Sequence, residues 1–522
     1  MEECKIRARD AGLHFDNETL EYIVTNRDLL ELSPKGMIPT MYDYWVNDVE
    51  ILKKKGIYKL YPNNPYETVI NTRPAISFYN DNNPDWLNIM IFYHVLAHID
   101  FFQNNIFFQN TWNYDFAGRA LADKRLINAL RSEHGRWVDY VIEFSRSINN
   151  LTGYHKITAL NRQKEEHLSP KIEYYFQVFL QDYLKKDINF IYNEVNKYNI
   201  VMENIPDIGG SIFLAEVKFK NPEFDEKFKR HAETQKKQTL YTDIIEFILD
   251  KSTFLNKENN LWMKQVVNIV RDTAIYFEPQ IRTKTINEGW ASYWHEKLFL
   301  QDKRIKGYES AFAKINAGVT SISRVGLNPY AIGLRLFWHI EDNANKGKLE
   351  YDFQKITDEE IRKSYNKNTD KGQEAIFEVR KNFNDFTFLN TFVNQDFTNR
   401  FNLFTVGKRL SEDKQSIEYY IKSRKAEDYK KMLIESLYHP PLISVDTGKT
   451  NEKNLYLIHR FEGKQLYKEF INDTMLAIEF LWGNKVQLET TELIKPQKKG
   501  EEIIKKRVLY TCENKITKKT EL

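Results

Sequence analysis

WLNIMIFYHVLAHIDFF (residues 86–102) is apolar on almost every side of a helical wheel, yet it carries two histidines and an aspartate. Asn83-Pro84-Asp85 precedes it and suits a helix start, because Asn or Asp caps free backbone N–H groups and Pro fits the first turn. A helix this uniformly apolar belongs inside a large core. In His94-Val-Leu-Ala-His98 the two imidazoles lie four residues apart, about 40° around a helix axis and about 6 Å along it, so both can face one point. Two imidazoles in a nearly dry helix must each find partners. A metal ion would satisfy both acceptor nitrogens at once, and the plainer alternative is a pair of hydrogen-bonded core histidines.

A second stretch, NEGWASYWHEKLF (287–299), places Glu288, Ser292 and His295 on one helical face, with Trp290, Ala291 and Trp294 covering the rest. Gly289 lets another backbone come close beside Glu288. The plainer alternative is an amphipathic helix whose Glu288 pairs with Arg282 or Lys284. Two imidazoles from one helix and a carboxylate from a later one make a three-ligand zinc set with an open fourth position. Zinc peptidases with this layout use His-Glu-x-x-His, the Glu acting as general base; here that position is Val95. Asp100, His295 or the Glu133-His134 pair would have to replace it, and His295 is alternatively a fourth ligand or a proton carrier.

Further out, helical patterns occupy 123–150, 170–198, 240–250, 260–278, 286–300, 329–345 and 357–395, and residues 1–60 read as short helices broken at Pro34-Lys35-Gly36 and Pro39. YETVINTRPAISFY (66–79) reads as extended. The stretches 153–170 and 221–239 read as polar and mobile. From about 400 the texture changes: FNLFTVGKRL, SIEYYIKS, PLISVDTG, NLYLIHRFEG and NKVQLETTE read as strands, with helices at 426–438 and 466–482 between them. The tail IKPQKKGEEIIKKR reads as a solvated basic end. The expected architecture is a mainly α domain over 1–398, with buried helices and a zincin-like (metallopeptidase-like) site, followed by a smaller α+β domain over 399–522.

The bulk chemistry narrows the function. With 522 residues, 42% hydrophobic and 29% charged, the chain is ordinary globular material, and 14% aromatics imply thick cores. A formal charge of +3, from 76 basic and 73 acidic residues, gives no reason to expect a nucleic-acid or acidic-membrane surface. Cys4 and Cys512 are too few for a disulfide framework or a thiolate metal site, which favours a reducing compartment. No signal-length or membrane-length apolar run is present. Phosphate-loop and dinucleotide fingerprints and the Glu-x-x-His pairs of di-iron carboxylate bundles are absent too.

HVLAHIDFFQNN (94–105), VNIVRDTAIYFEPQIRTKTINEGWASYWH (267–295) and GLNPYAIGLRLF (326–337) resemble, in the same order, the stage V sporulation protein R (SpoVR) family. LYLIHRFEGKQL (455–466) and LWGNKVQLET (481–490) are similar to that family's end region. His94, His98, Asn287, Glu288 and His295 fall on the family's motif positions. Ala97 stands where that family has a small Gly, and Tyr44-Trp45 where it commonly has His-Trp. The resemblance implies a cytoplasmic bacterial protein tied to spore cortex formation or, in bacteria that do not sporulate, to stationary-phase and stress physiology. It also implies a serine protein kinase and a protein with a von Willebrand-type domain as neighbours in the gene cluster.

The expectation is therefore a metal-dependent, hydrolase-like protein of the peptidase or amidase kind. Its metal, expected to be zinc, would sit on His94, His98 and Glu288, with Asp100 or His295 handling protons. The rival expectation is a non-catalytic scaffold that binds a partner of the kinase system, and a third is a metal-free pocket for a cell-wall or nucleotide ligand.

Overall fold

The computed structural model describes all residues except 17, 26–67, 110, 112–115, 153–167, 187, 238–240, 242, 323–326, 411–416, 438–439, 463 and 495–503. The breaks expected around Pro34 and Pro39, and Tyr44-Trp45, lie outside the described residues, as does most of 153–170. The protein is mostly helical, with a smaller sheet-containing C-terminal region. It forms two compact units, each drawn from two stretches of chain: Met1–Glu143 with Gln265–Pro440, and Phe144–Lys264 with Pro441–Leu522. These units follow a different line from the change of texture at 398/399.

The first unit is organised around the apolar helix. In chain order its site-bearing elements are α1 (Glu2–Asp10), β1 (Thr19–Val24), β2 (Thr68–Ile70), β3 (Ala75–Asn80), α2 (Asp85–Asn104), α3 (Lys284–Gln301), α4 (Glu309–Val319), α5 (Pro329–Asn345), α6 (Gly372–Asn382) and α7 (Asp385–Phe392). β3 pairs parallel with β1 and antiparallel with β2. α2 is buried along nearly its whole length, as its composition requires. One core joins Phe92, Leu96 and Phe101 of α2 to Trp290 and Trp294 of α3 and to Phe337 of α5. Farther along the chain, Leu403, Tyr429 and Leu433 join the same core.

Two local chemistries fix α3 and α5. Asp385, at the start of α7, accepts from the Thr285 and Ile286 backbone N–H groups at 2.9 and 2.8 Å, supplying the cap that α3 lacks in its own sequence. Asn328 caps α5, accepting from the Tyr330 N–H at 3.1 Å, with Pro329 at the first position. The helices then cross at two glycines. A Cβ on Gly289 would lie 2.3 Å from the Gly333 carbonyl carbon, and one on Gly333 would lie 2.2 Å from the Thr285 carbonyl oxygen. The close backbone approach expected beside Glu288 is there. β4 (Thr405–Leu410) and β5 (Ile417–Ser423) form an antiparallel ribbon later in the same unit.

The second unit holds a five-stranded sheet in the order β10-β9-β8-β7-β6, from β6 (Ile443–Val445), β7 (Asn454–His459), β8 (Lys485–Ile494), β9 (Ile504–Glu513) and β10 (Ile516–Glu521). β7 and β8 run parallel, joined through the helix Lys468–Trp482, which ends at Gly483 in the left-handed region. The tail is thus not merely a solvated end. β9 and β10 pair as a hairpin whose turn residues Asn514 and Lys515 both have positive φ.

Residues 221–239 also differ from expectation, since Phe224–Lys237 is a helix. Glu226, Lys229 and Arg230 are exposed, while Phe224 joins a cluster with Tyr174, Phe179 and Phe213, and Phe228 packs against that cluster. Both cysteines are free and buried. No helix among the described residues is long and apolar enough to cross a membrane.

Candidate metal centre

His94 and His98 stand one turn apart on α2, their rings edge to face at a centroid distance of 4.6 Å. Glu288 on α3 meets both: its Oε2 lies 3.7 Å from His94 Nε2 and 3.5 Å from His98 Nε2. The alternative pairing of Glu288 with Arg282 is not formed, because Arg282 bonds Glu278 at 2.6 Å in a buried ion pair. Among the described residues, His94, His98 and Glu288 form the one group of three or more potential metal ligands.

The spacing suits an ion. Nitrogen and oxygen ligands placed 2.0–2.2 Å from a tetrahedral zinc lie about 3.4 Å from one another. The observed separations of 3.5 and 3.7 Å are close to that figure and too long for good hydrogen bonds.

The far side of each ring is held by protein. His98 Nδ1 lies 2.9 Å from Asn287 Oδ1. His94 Nδ1 lies 2.8 Å from His295 Nδ1, and His295 Nε2 lies 3.1 Å from Asn316 Oδ1 on α4. Asn316 Nδ2 in turn donates to Glu296 Oε2 at 3.0 Å. Outer partners of this kind orient ligand imidazoles and settle which nitrogen is free. Half-buried Tyr330, in the first turn of α5, stacks on His94 at 6.2 Å, and its side chain helps to hold the Glu288 carboxyl low.

Burial favours the neutral forms of His98 and His295, and the carboxylate stays charged. Burial, reinforced by His94, pushes His98 down to about 4, and burial pushes His295 down to about 3. Burial alone would raise the Glu288 carboxyl, but His94, His98 and Tyr330 together outweigh it and hold it below the ordinary value.

The other expected residues lie elsewhere. Asp100 sits two residues past His98, on another face of α2. It accepts from the His14 N–H at 2.7 Å and from Trp290 Nε1 at 2.9 Å, with Arg380 Nε 3.4 Å away. It is fully buried and its carboxylate is engaged away from the cluster. His295 stands behind His94 with both ring nitrogens engaged, so it is not placed as a fourth ligand. Glu133 and His134 pair with each other at the end of the helix Phe116–His134. Val95 is wholly buried in the core.

Asn287, Glu296, Asn316 and Tyr330 complete the surroundings. Asn287 and Tyr330 lie inside the quoted motifs. Glu296 lies in the quoted stretch 287–299 without being singled out there, and nothing in the local sequence singles out Asn316.

A family model described as SpoVR like protein matches residues 1–439. An uncharacterized protein of Escherichia coli (strain K12), YcgB, is 22% identical over 410 residues, covering 76% of this chain and 71% of its own. No solved structure matches. The matched span contains α2, α3 and α5 with the whole histidine–carboxylate cluster, and over most of its length the chain therefore belongs to the SpoVR family.

Proposed function

We propose that His94, His98 and Glu288 hold a divalent metal ion, zinc by the donor set, and that the protein is a metal-dependent hydrolase acting on a peptide or amide bond. One observation carries this reading: two imidazoles point their Nε2 atoms at one carboxylate, while their Nδ1 atoms are held from behind. When bound, the ion would supply Lewis-acid polarisation of a substrate carbonyl. Asn287 and His295 orient the imidazoles. Tyr330, half-buried and beside Glu288, is the group placed to donate a hydrogen bond to a substrate oxygen.

Proton transfer by Asp100 or His295 finds no support in the geometry, since both are engaged behind the cluster. The setting we propose is the bacterial cytoplasm, in cortex formation or in stationary-phase and stress physiology.

Metal analysis of purified full-length protein after reconstitution tests the site. The expected result is about one zinc, manganese or iron per chain, lost in both His98→Ala and Glu288→Ala. No stoichiometric metal in the folded wild-type protein overturns the reading.

A second reading is favoured by buried Val95 standing where a general base would be. In it the cluster is a structural post and the protein is a scaffold for a serine protein kinase and a von Willebrand-type-domain protein. Glu288→Ala separates the two: loss of stability with no separable loss of phenotype supports the scaffold, and a stable protein without its phenotype supports the enzyme.

A further inference from the structure

We infer that Glu296 and Asn316 are positioning residues which select, through His295, the tautomer of His94 that offers its Nε2 lone pair to the centre. The inference rests on the metal-site reading above. It follows from donor and acceptor counting along one chain of contacts: Glu296 Oε2 to Asn316 Nδ2 at 3.0 Å, Asn316 Oδ1 to His295 Nε2 at 3.1 Å, and His295 Nδ1 to His94 Nδ1 at 2.8 Å.

A carboxylate can only accept, so the Asn316 amide must turn its NH2 group toward Glu296. That leaves Oδ1, an acceptor, facing His295, whose Nε2 must then carry the hydrogen. A neutral His295 has its lone pair on Nδ1, so the nitrogen opposite, His94 Nδ1, must donate. His94 Nε2 is thereby left as an acceptor, 3.7 Å from Glu288 Oε2.

The reversed chain shows what Glu296 adds. With the amide flipped, Asn316 would donate to His295 Nε2, the hydrogens along the chain would shift, and His94 Nε2–H would point at Glu288. That arrangement makes a histidine–carboxylate hydrogen bond and has no free lone pair for an ion. It also sets the Asn316 carbonyl oxygen against the Glu296 carboxylate, two acceptors with no proton between them. Glu296 therefore acts as the latch on this orientation although it never touches the cluster. On the other ligand one residue does the same work, since Asn287 Oδ1 accepts directly from His98 Nδ1–H.

The test uses full-length protein, with zinc titrated against a chromophoric chelator and histidine side-chain 15N spectra recorded on the metal-free form. Glu296→Gln keeps the shape but lets Asn316 take either orientation, and Asn316→Ala breaks the chain. Each is expected to weaken zinc binding about 10-fold, the usual scale for a lost outer partner. Adding Glu296→Gln to Asn316→Ala is expected to change nothing further, because both act through one chain. Lys314→Ala, exposed on the same helix, serves as control.

In the spectra, His94 is expected to move from the Nδ1–H form toward the Nε2–H form in Glu296→Gln. If both variants bind zinc as the wild type does while His98→Ala does not, the latch is wrong and the site stands. If the wild type binds no zinc, the site reading falls. The tautomer spectra then decide the latch alone, and an unchanged His94 overturns it.

Discussion

Asp100 is a buried carboxylate of α2 and Glu288 a partly buried one facing it, and their partners give them opposite roles. Glu288 faces two imidazoles across gaps too wide for hydrogen bonds, whereas Asp100 is bound by a backbone N–H, an indole N–H and a guanidinium. Burial pushes Asp100 up to about 6, with Arg380 as the main opposing influence. Removing one partner of a buried pair leaves the other charge uncompensated, which typically costs 3–5 kcal/mol. Asp100→Ala is therefore expected to lower stability by about 3 kcal/mol in urea unfolding, while the folded fraction keeps the zinc stoichiometry of the wild type. Loss of zinc without loss of stability would contradict this assignment. The cluster was legible in sequence because His94 and His98 are tied by helical spacing and Glu288 stands beside a Gly in a recognisable motif. Asn316 was not, because its bonds to His295 and Glu296 span 21 and 20 residues and no local pattern encodes them.

At the scale of elements, the crossing of α3 and α5 at Gly289 and Gly333 is the least forgiving feature. Backbone faces backbone there, so no flexible side chain can yield to an added methyl group. Gly289→Ala is expected to lower stability by about 3 kcal/mol, the upper end of ordinary overpacking. Thermal unfolding of the variant checks this, and a midpoint equal to the wild type's would refute it.

A second prediction concerns β7. His459 Nδ1 lies 2.8 Å from Thr490 Oγ1, and burial pushes its pKa down to about 4. An unfolded histidine titrates near 6.5, so the folded form takes up the proton less readily. Stability is then full above about pH 6.5, falls as the pH drops toward 4 and levels off below that, a loss on the order of 3 kcal/mol. His459→Gln should make this acid limb of a urea-unfolding series shallower.

Helical periodicity was legible for α2, α3 and α5. The helix Phe224–Lys237 was not, because buried Phe224 and partly buried Phe228 hold a face that the many charged residues of its sequence disguise. The β9–β10 hairpin was hidden by lysines on a strand whose side chains are mostly in water.

For the whole molecule, the change of texture near residue 400 marks where the C-terminal strands begin, and the first compact unit runs on to Pro440. Leu403, Tyr429 and Leu433 are buried in the same core as α2, α3 and α5. Each large apolar side chain contributes roughly 1.5–3 kcal/mol by burial. A fragment cut to residues 1–398 is expected to be insoluble or to lack cooperative unfolding in calorimetry. A fragment with a sharp transition near that of the full chain would show that 399–440 is dispensable to the first unit.

Among the described residues the five-stranded sheet stops at β10, and that strand's outer edge presents backbone donors and acceptors with no further described strand beside them. Such an edge is a template for recruiting another chain. Here the strand reads ITKKTE, its Lys518 exposed, and Lys519 is drawn back to Glu492 at 2.7 Å. A second copy approaching in register would bring lysine against lysine. The composition that disguised this strand is thus also a guard against self-association through it, and crowding in the cell would test that guard continually.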